Sequence, residues 1–125
     1  MAQSGGRGFG IIGIGTIAEF HAKALQAMEG GHLACAYSRN GGPKAEKFAQ
    51  DFGVKVYTGD IHDFLAAPGV EIVTIATPSG AHLEPAIAAA QHKKHVLTEK
   101  PLEITLERCD AMIAAHHTEE DLRLA

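Results

Sequence analysis

The sequence has no tryptophan and only two tyrosines and five phenylalanines among its 125 residues. A chain so poor in large rings fills its interior with Ala, Ile, Leu and Val, which suits close packing of helices on a sheet. Cysteine is scarcer still. Cys35 and Cys109 lie inside apolar periodic segments with no C-x-x-C spacing, which excludes a disulfide-stapled scaffold and fits a reduced chain in the cytoplasm. Basic residues are not in excess: 11 Lys and Arg stand against 15 Asp and Glu, a net charge of −4, so no nucleic-acid partner is expected. No apolar run reaches the length of a membrane span, and Met1 to Gly8 is polar and Gly-rich with a single Arg7, unlike a signal peptide. Eight histidines are present without ligand spacing: His116 and His117 are adjacent, and no carboxylate or cysteine completes a set with His92 and His95. No metal is therefore expected, and His21 and His32 read as packing and surface residues.

What the chain does have is regular alternation of apolar runs with helical patterns. Phe9 to Ile14 is a short apolar run ending in glycine. Ile17, Phe20, His21, Ala24, Leu25 and Met28 then recur at three- and four-residue spacing, one face of a helix stopped by Gly30-Gly31. The pattern predicts strands at 33–37, 54–57, 72–76 and 96–98. It predicts helices from Pro43 to Phe52 (closed by Gly53), after Asp60, from Ala81 to Ala90, and after Thr105. The last of these is expected to turn Leu106, Cys109, Met112 and Ile113 inward. Near-continuous apolar strands joined by helices imply an α/β fold, a doubly wound parallel sheet of order 3-2-1-4-5 with helices on both faces. Residues 1–8 read as a flexible N-terminus, 9–118 as one domain, and 119–125 as a helix extension or frayed tail.

Gly13-Ile14-Gly15-Thr16-Ile17-Ala18 follows the first strand and opens the first helix, the context a dinucleotide-binding fingerprint requires. Gly13 permits the tight turn, Gly15 keeps side-chain bulk away from a pyrophosphate, and Ala18 lets helix approach strand. The N–H groups of the first turn, from Thr16, Ile17 and Ala18, then face the diphosphate. An acid at the end of the second strand would bond a ribose 2′-hydroxyl. Here that position reads Ser38-Arg39-Asn40, with no carboxylate before Glu46. Ser38 can donate to a 2′-phosphate and Arg39 can pair with it, which favours NADP over NAD.

The stretch Glu99-Lys100-Pro101 ends the fifth strand and puts an amine and a carboxylate where a nicotinamide would lie. Gly13-x-Gly15-x-x-Ala18 with His21, then Ala76-Thr77-Pro78-Ser79-Gly80-Ala81-His82, then His95 to Leu102 carry a resemblance to the glucose–fructose oxidoreductase / inositol dehydrogenase / MocA (Gfo/Idh/MocA) family. The resemblance runs from about Phe9 to the last helix. It implies a Rossmann N-terminal domain, with a following α/β substrate domain that holds a catalytic His or Asp and the homo-oligomer interface and is absent from these 125 residues. It implies that Lys100 is catalytic, reaching the nicotinamide ribose and a sugar-like substrate's oxygen, that Glu99 helps place the ribose, and that the Lys100-Pro101 bond is a candidate for cis. Thr77, Pro78 and His82 are cofactor-side candidates, His82 being balanced against a packing role at the helix start.

The leading expectation is the cofactor domain of an NADP-dependent oxidoreductase acting on a sugar, polyol or related hydroxy compound. A non-catalytic dinucleotide sensor is the alternative, against which stands a lysine that binding alone does not need. A site for S-adenosylmethionine would leave Ser38, Arg39 and Lys100 without work. One local departure is Gln91-His92-Lys93-Lys94, where the family often has glycine; a left-handed Lys93 costs about 1 kcal/mol.

Overall fold

The computed structural model describes residues 6–77, 81–100, 102–117 and 123–125. Its elements are β1 (Arg7–Ile12), α1 (Thr16–Ala27), β2 (Gly31–Tyr37), α2 (Pro43–Phe52), β3 (Lys55–Tyr57), α3 (Ile61–Leu65), β4 (Ile72–Ile75), α4 (Leu83–Gln91), β5 (His95–Thr98) and α5 (Leu106–His117). The five strands form one parallel sheet in the order β3-β2-β1-β4-β5.

Successive strand residues point to opposite faces, and the sequence supplies apolar groups to both. Ile11 and Ala36 look to one side, onto Ala18, Ala22 and Leu25 of α1 and Phe48 of α2. Ile12 and Cys35 look to the other, onto Phe64 and Leu65 of α3 and Ala86 and Ala89 of α4. Phe64 lies so close to β1 that a Cβ on Gly10 would stand 2.6 Å from its ring. Register matters most for function. Ile12 pairs with Tyr37 and Ile75, and Ile75 with Thr98, so Gly13, Ser38, Ala76 and Glu99 leave the sheet side by side.

Local chemistry explains the ends. Pro43 opens α2 and Gly53 closes it in the left-handed region at φ 66°. The Asp60 carboxylate accepts from His62 N–H at 2.9 Å, and the Thr105 hydroxyl accepts from Arg108 N–H at 3.1 Å. At the end of α4, Lys94 N–H donates to Ala89 O and Lys93 N–H to Ala90 O, both at 2.9 Å, the paired bonds of a Schellman closure. Lys93 is the residue that turns left-handed, at φ 60°. The turn anticipated from a glycine position is therefore kept, with a lysine under strain.

Three expectations change. Strand β1 starts at Arg7, whose N–H donates to Gly30 O at 2.9 Å, so the ordered domain begins before residue 9. Helix α5 lies against α4 and offers it Met112 and His116, both buried, whereas Leu106 is 83% and Ile113 45% exposed. The sequence carries two overlapping stripes, 106-109-113 and 109-112-116, and contact with α4 selects the second. Residues 123–125 neither extend α5 nor fray: Val96 N–H donates to Arg123 O and Ala125 N–H to Val96 O, both at 2.8 Å, so this segment runs parallel beside β5. Residues 118–122 and 1–5 lie outside the described residues. No helix among the described residues is long and apolar enough to cross a membrane.

The strained position yields a direct test. Lys93→Gly is expected to stabilise the chain by about 0.5–1 kcal/mol, the left-handed penalty less the extra freedom of glycine in the unfolded chain, read by urea denaturation.

Candidate functional site

The glycine loop splits into one glycine the fold needs and one it does not. Gly13 sits at φ 105°, and a Cβ there would stand 2.9 Å from Ala76 O, so both backbone and neighbours demand glycine. Gly15, the N-cap of α1, has φ −79°, and a Cβ there would meet nothing within 4 Å among the described residues. Ala18 is fully buried against β1, as helix-on-strand contact requires. No side chain caps α1. Its first-turn N–H groups, at Thr16, Ile17 and Ala18, have no intrahelical acceptor and face an open approach.

Beside this loop a cleft of about 530 Å³ opens between Gly13, Ser38 and Arg39 on one side and Thr77, Glu84 and Pro85 on the other. It lies at the carboxyl edge where the strand order reverses, the place ligands occupy in doubly wound sheets. The Ser38–Arg39 turn is pinned by its backbone, with Ser38 N–H donating to Tyr57 O at 2.9 Å and Gly59 N–H to Arg39 O at 3.2 Å. The Arg39 side chain is exposed and makes no ion pair among the described residues. Glu84 is drawn aside by Arg108 at 3.1 Å. A larger recess of about 710 Å³, bounded by Leu25, His32, Phe52 and Gly69, lies at the opposite edge of the sheet, away from every group considered above.

The second wall of the cleft is held from beneath. His82 is 1% exposed: its Nε2 lies 2.9 Å from Thr77 O and its Nδ1 3.0 Å from Leu102 O. His82 is therefore a tie between two loops and not a group facing the cleft; a histidine next to a helix start gave no sign of which it would be. Glu103, which the sequence did not single out, is the stronger tie. Its buried carboxylate accepts from His82 N–H and Leu83 N–H at 2.9 Å each and from Ile104 N–H at 2.7 Å, beside the Arg108 guanidinium. Burial works to raise its pKa, but Ile104 N–H, Arg108, and the Leu83 and His82 N–H groups together outweigh burial and hold the carboxyl down at about 2. The N-terminus of α4 is thus filled from within the chain, while that of α1 is open. Thr77 closes its own loop by donating its hydroxyl to Ala81 O at 2.9 Å. Pro78, Ser79, Gly80 and the Lys100-Pro101 peptide lie outside the described residues.

At the far end of the edge, Glu99 N–H donates to Ile75 O at 3.2 Å and the Glu99 carboxylate meets His21 Nε2 at 2.6 Å. Lys100 is exposed and makes no ion pair among the described residues. Glu99 is partnered by a histidine of α1 and not by its neighbouring lysine, so Lys100 is left available. From β2 to β5 is three strand spacings, roughly 14 Å, so Arg39 and Lys100 flank the glycine loop at the two ends of an elongated site. Among the described residues no group of three or more His, Cys, Asp or Glu could hold a metal ion.

Residues 7–124 match the family described as "Oxidoreductase family, NAD-binding Rossmann fold". The chain belongs to the Gfo/Idh/MocA family. It is 33% identical over 102 residues to scyllo-inositol 2-dehydrogenase (NAD(+)) of Bacillus subtilis, covering 81% of this chain and 30% of that enzyme. The WlbA dehydrogenase of Bordetella pertussis, solved in complex with NADH and UDP-GlcNAcA, superposes with a TM-score of 0.86 at 28% identity, over 95% of this chain and 36% of that one. A 3-ketoreductase from Actinomadura kijaniata, in complex with TDP-benzene and NADP, gives 0.84 at 28% identity, over 95% and 36%. The chain thus spans about a third of the length of the relatives it matches. Within the family it corresponds to the NAD(P)-binding Rossmann domain.

The Glu103 cap predicts an acid limb. Its folded pKa is depressed, so its stabilisation is complete above about 4.5 and fades as the pH falls towards 2. Glu103→Gln is expected to cost about 2 kcal/mol at neutral pH and to flatten that limb in denaturation measured between pH 5 and 2.

Proposed function

We propose that this chain is the cofactor domain of an NADP(H)-dependent oxidoreductase that moves hydride between nicotinamide and a sugar, polyol or related hydroxy or carbonyl compound. The observation that carries the reading is Gly15. Neither its φ of −79° nor any neighbour within 4 Å among the described residues requires glycine, yet it stands at the start of α1, which no side chain caps among those residues. A ligand backed against those N–H groups accounts for it, and a diphosphate is the ligand that helix N-termini hold.

The adenosine end is assigned to Gly13, Ser38, Arg39 and Thr77, with Pro78 kept as a cofactor-side candidate from the sequence. Arg39 has a free guanidinium beside the cleft, and no carboxylate follows β2 to bond a 2′-hydroxyl. This favours the 2′-phosphate of NADP, with NAD as the alternative, and both cofactors occur among the structural relatives. When bound, the nicotinamide supplies or accepts the hydride. Glu99 steadies the nicotinamide ribose. Lys100 presents its amine to the substrate oxygen, taking the hydroxyl proton as an alcohol is oxidised and returning it from the ammonium in the reverse direction. Sugar-like substrates are favoured by the relatives, one of which acts on an inositol and another of which was solved with a sugar nucleotide. Both cysteines are unpaired, and burial, the main cause, pushes the Cys35 thiol up to about 11. An inert reduced thiol in the core supports a cytoplasmic setting.

Titration of this chain with NADPH and NADH, followed by nicotinamide fluorescence, is expected to give tighter NADPH binding. Arg39→Ala should weaken NADPH about tenfold and NADH little. Tighter NADH binding would overturn the choice of NADP. Gly15→Asp adds a good N-cap, so stability should hold or rise by about 0.5 kcal/mol while the added charge abolishes dinucleotide binding. Lost binding accompanied by an equal loss of stability would remove the argument from Gly15. The 125-residue chain alone is expected to bind cofactor without turning over a panel of sugars and polyols, measured as absorbance change at the nicotinamide band.

A further inference from the structure

A line of polar contacts runs across the α1 face of the sheet that the dinucleotide reading does not use. Thr74 lies in β4 and is 1% exposed, so its hydroxyl needs a partner inside the chain. It finds His21 Nδ1 at 2.7 Å, and the other ring nitrogen, Nε2, lies 2.6 Å from Glu99 Oε2. The carboxylate can only accept, so Nε2 carries the proton; in the neutral ring Nδ1 then accepts from Thr74 O–H. Thr74 thereby fixes both the tautomer and the orientation of the ring. The surroundings are apolar, a recess of about 260 Å³ that includes Phe9, Leu25, Met28 and Leu97, which strengthens a short charge-assisted bond.

We propose that His21 is a positioning residue: oriented by Thr74, it holds Glu99, and through Glu99 the adjoining Lys100, at the nicotinamide end of the site. Ahead of the Leu102 and Glu103 ties, the turn itself has few other holds among the described residues. Glu99 N–H makes one long bond, 3.2 Å to Ile75 O, and Lys100 has no ion pair among the described residues. His21 stands on the second turn of the helix whose first turn faces the diphosphate. One rigid element therefore sets both the phosphate-binding N–H groups and the carboxylate next to the lysine, which fixes their separation. The ligand that this geometry serves rests on the dinucleotide reading; the positioning itself does not.

The test uses the 125-residue chain with His21→Ala, His21→Gln (which keeps a donor for Glu99), and the double variant His21→Leu with Thr74→Val, which replaces the polar line by an apolar one and protects the fold. Amide hydrogen exchange at Glu99 is expected to quicken about tenfold or more in the Ala and double variants, with Ile11 and Val73 in the core unchanged, and to return towards wild type in the Gln variant. NADPH affinity should fall about tenfold in the same two variants, whereas adenosine 2′,5′-bisphosphate, which lacks the nicotinamide half, should bind within twofold of wild type. Unchanged exchange at Glu99, or equal losses for both nucleotides, overturns the proposal. A wild-type chain that binds neither nucleotide defeats the dinucleotide reading alone, and the exchange at Glu99 still decides the role of His21.

Discussion

A carboxylate buried in a protein persists only where donors surround it, and the carboxyl edge of this sheet is assembled around one that meets that condition. Glu103 draws the N–H groups of His82, Leu83 and Ile104 and the Arg108 side chain onto two oxygens. The start of α4 is thereby joined to the loop after β5 and the first turn of α5, about 20 residues further along the chain. His82 adds a second tie, from Thr77 O to Leu102 O. The depressed pKa of Glu103 is the same fact seen electrostatically, since each donor that positions the loops also favours the charged form.

Two of the helix N-termini at this edge, those of α4 and α1, are treated oppositely. That of α4 is satisfied from within by Glu103, so it has nothing to offer a ligand. That of α1 has a glycine at its cap, no capping side chain, and space for a Cβ that the sequence leaves unfilled. The contrast separates a structural use of the helix dipole from one kept open. Parallel register is what brings the open terminus into use, because it delivers Gly13, Ser38, Ala76 and Glu99 to a common edge.

The surface has an uneven apolar distribution. Phe20 is 63% exposed and Leu106 83%, and Ile17, Leu97 and Ile104 are also exposed. On the α1 side of the sheet, helices cover β1 and β2 more completely than β4 and β5, and the recess beside His21 is the result. The relatives are about three times as long as this chain.

By itself the sequence determined the strand order, the helix positions and the glycine loop, because each rests on local rules: a period of two or 3.6, a capping residue, a turn that only glycine makes without strain. Pro43, Gly53, Asp60 and Thr105 could be read as boundaries for that reason, and the Lys93 strain could be anticipated from the absence of a glycine. The partners of polar side chains were not legible in the same way. His21 looked like one more residue on an apolar stripe, yet it bridges positions 53 and 78 residues away. His82 was balanced between a cofactor-side role and packing at the helix start and is a buried tie, and Glu103 gave no signal at all. On α5 Leu106, Cys109, Met112 and Ile113 were expected to turn inward, and contact with α4 buries Met112 and His116 while Leu106 and Ile113 stay exposed. Periodicity and capping are properties of neighbours along the chain, whereas the satisfaction of a buried polar group depends on which donor the fold brings within about 3 Å, and only the tertiary structure decides that.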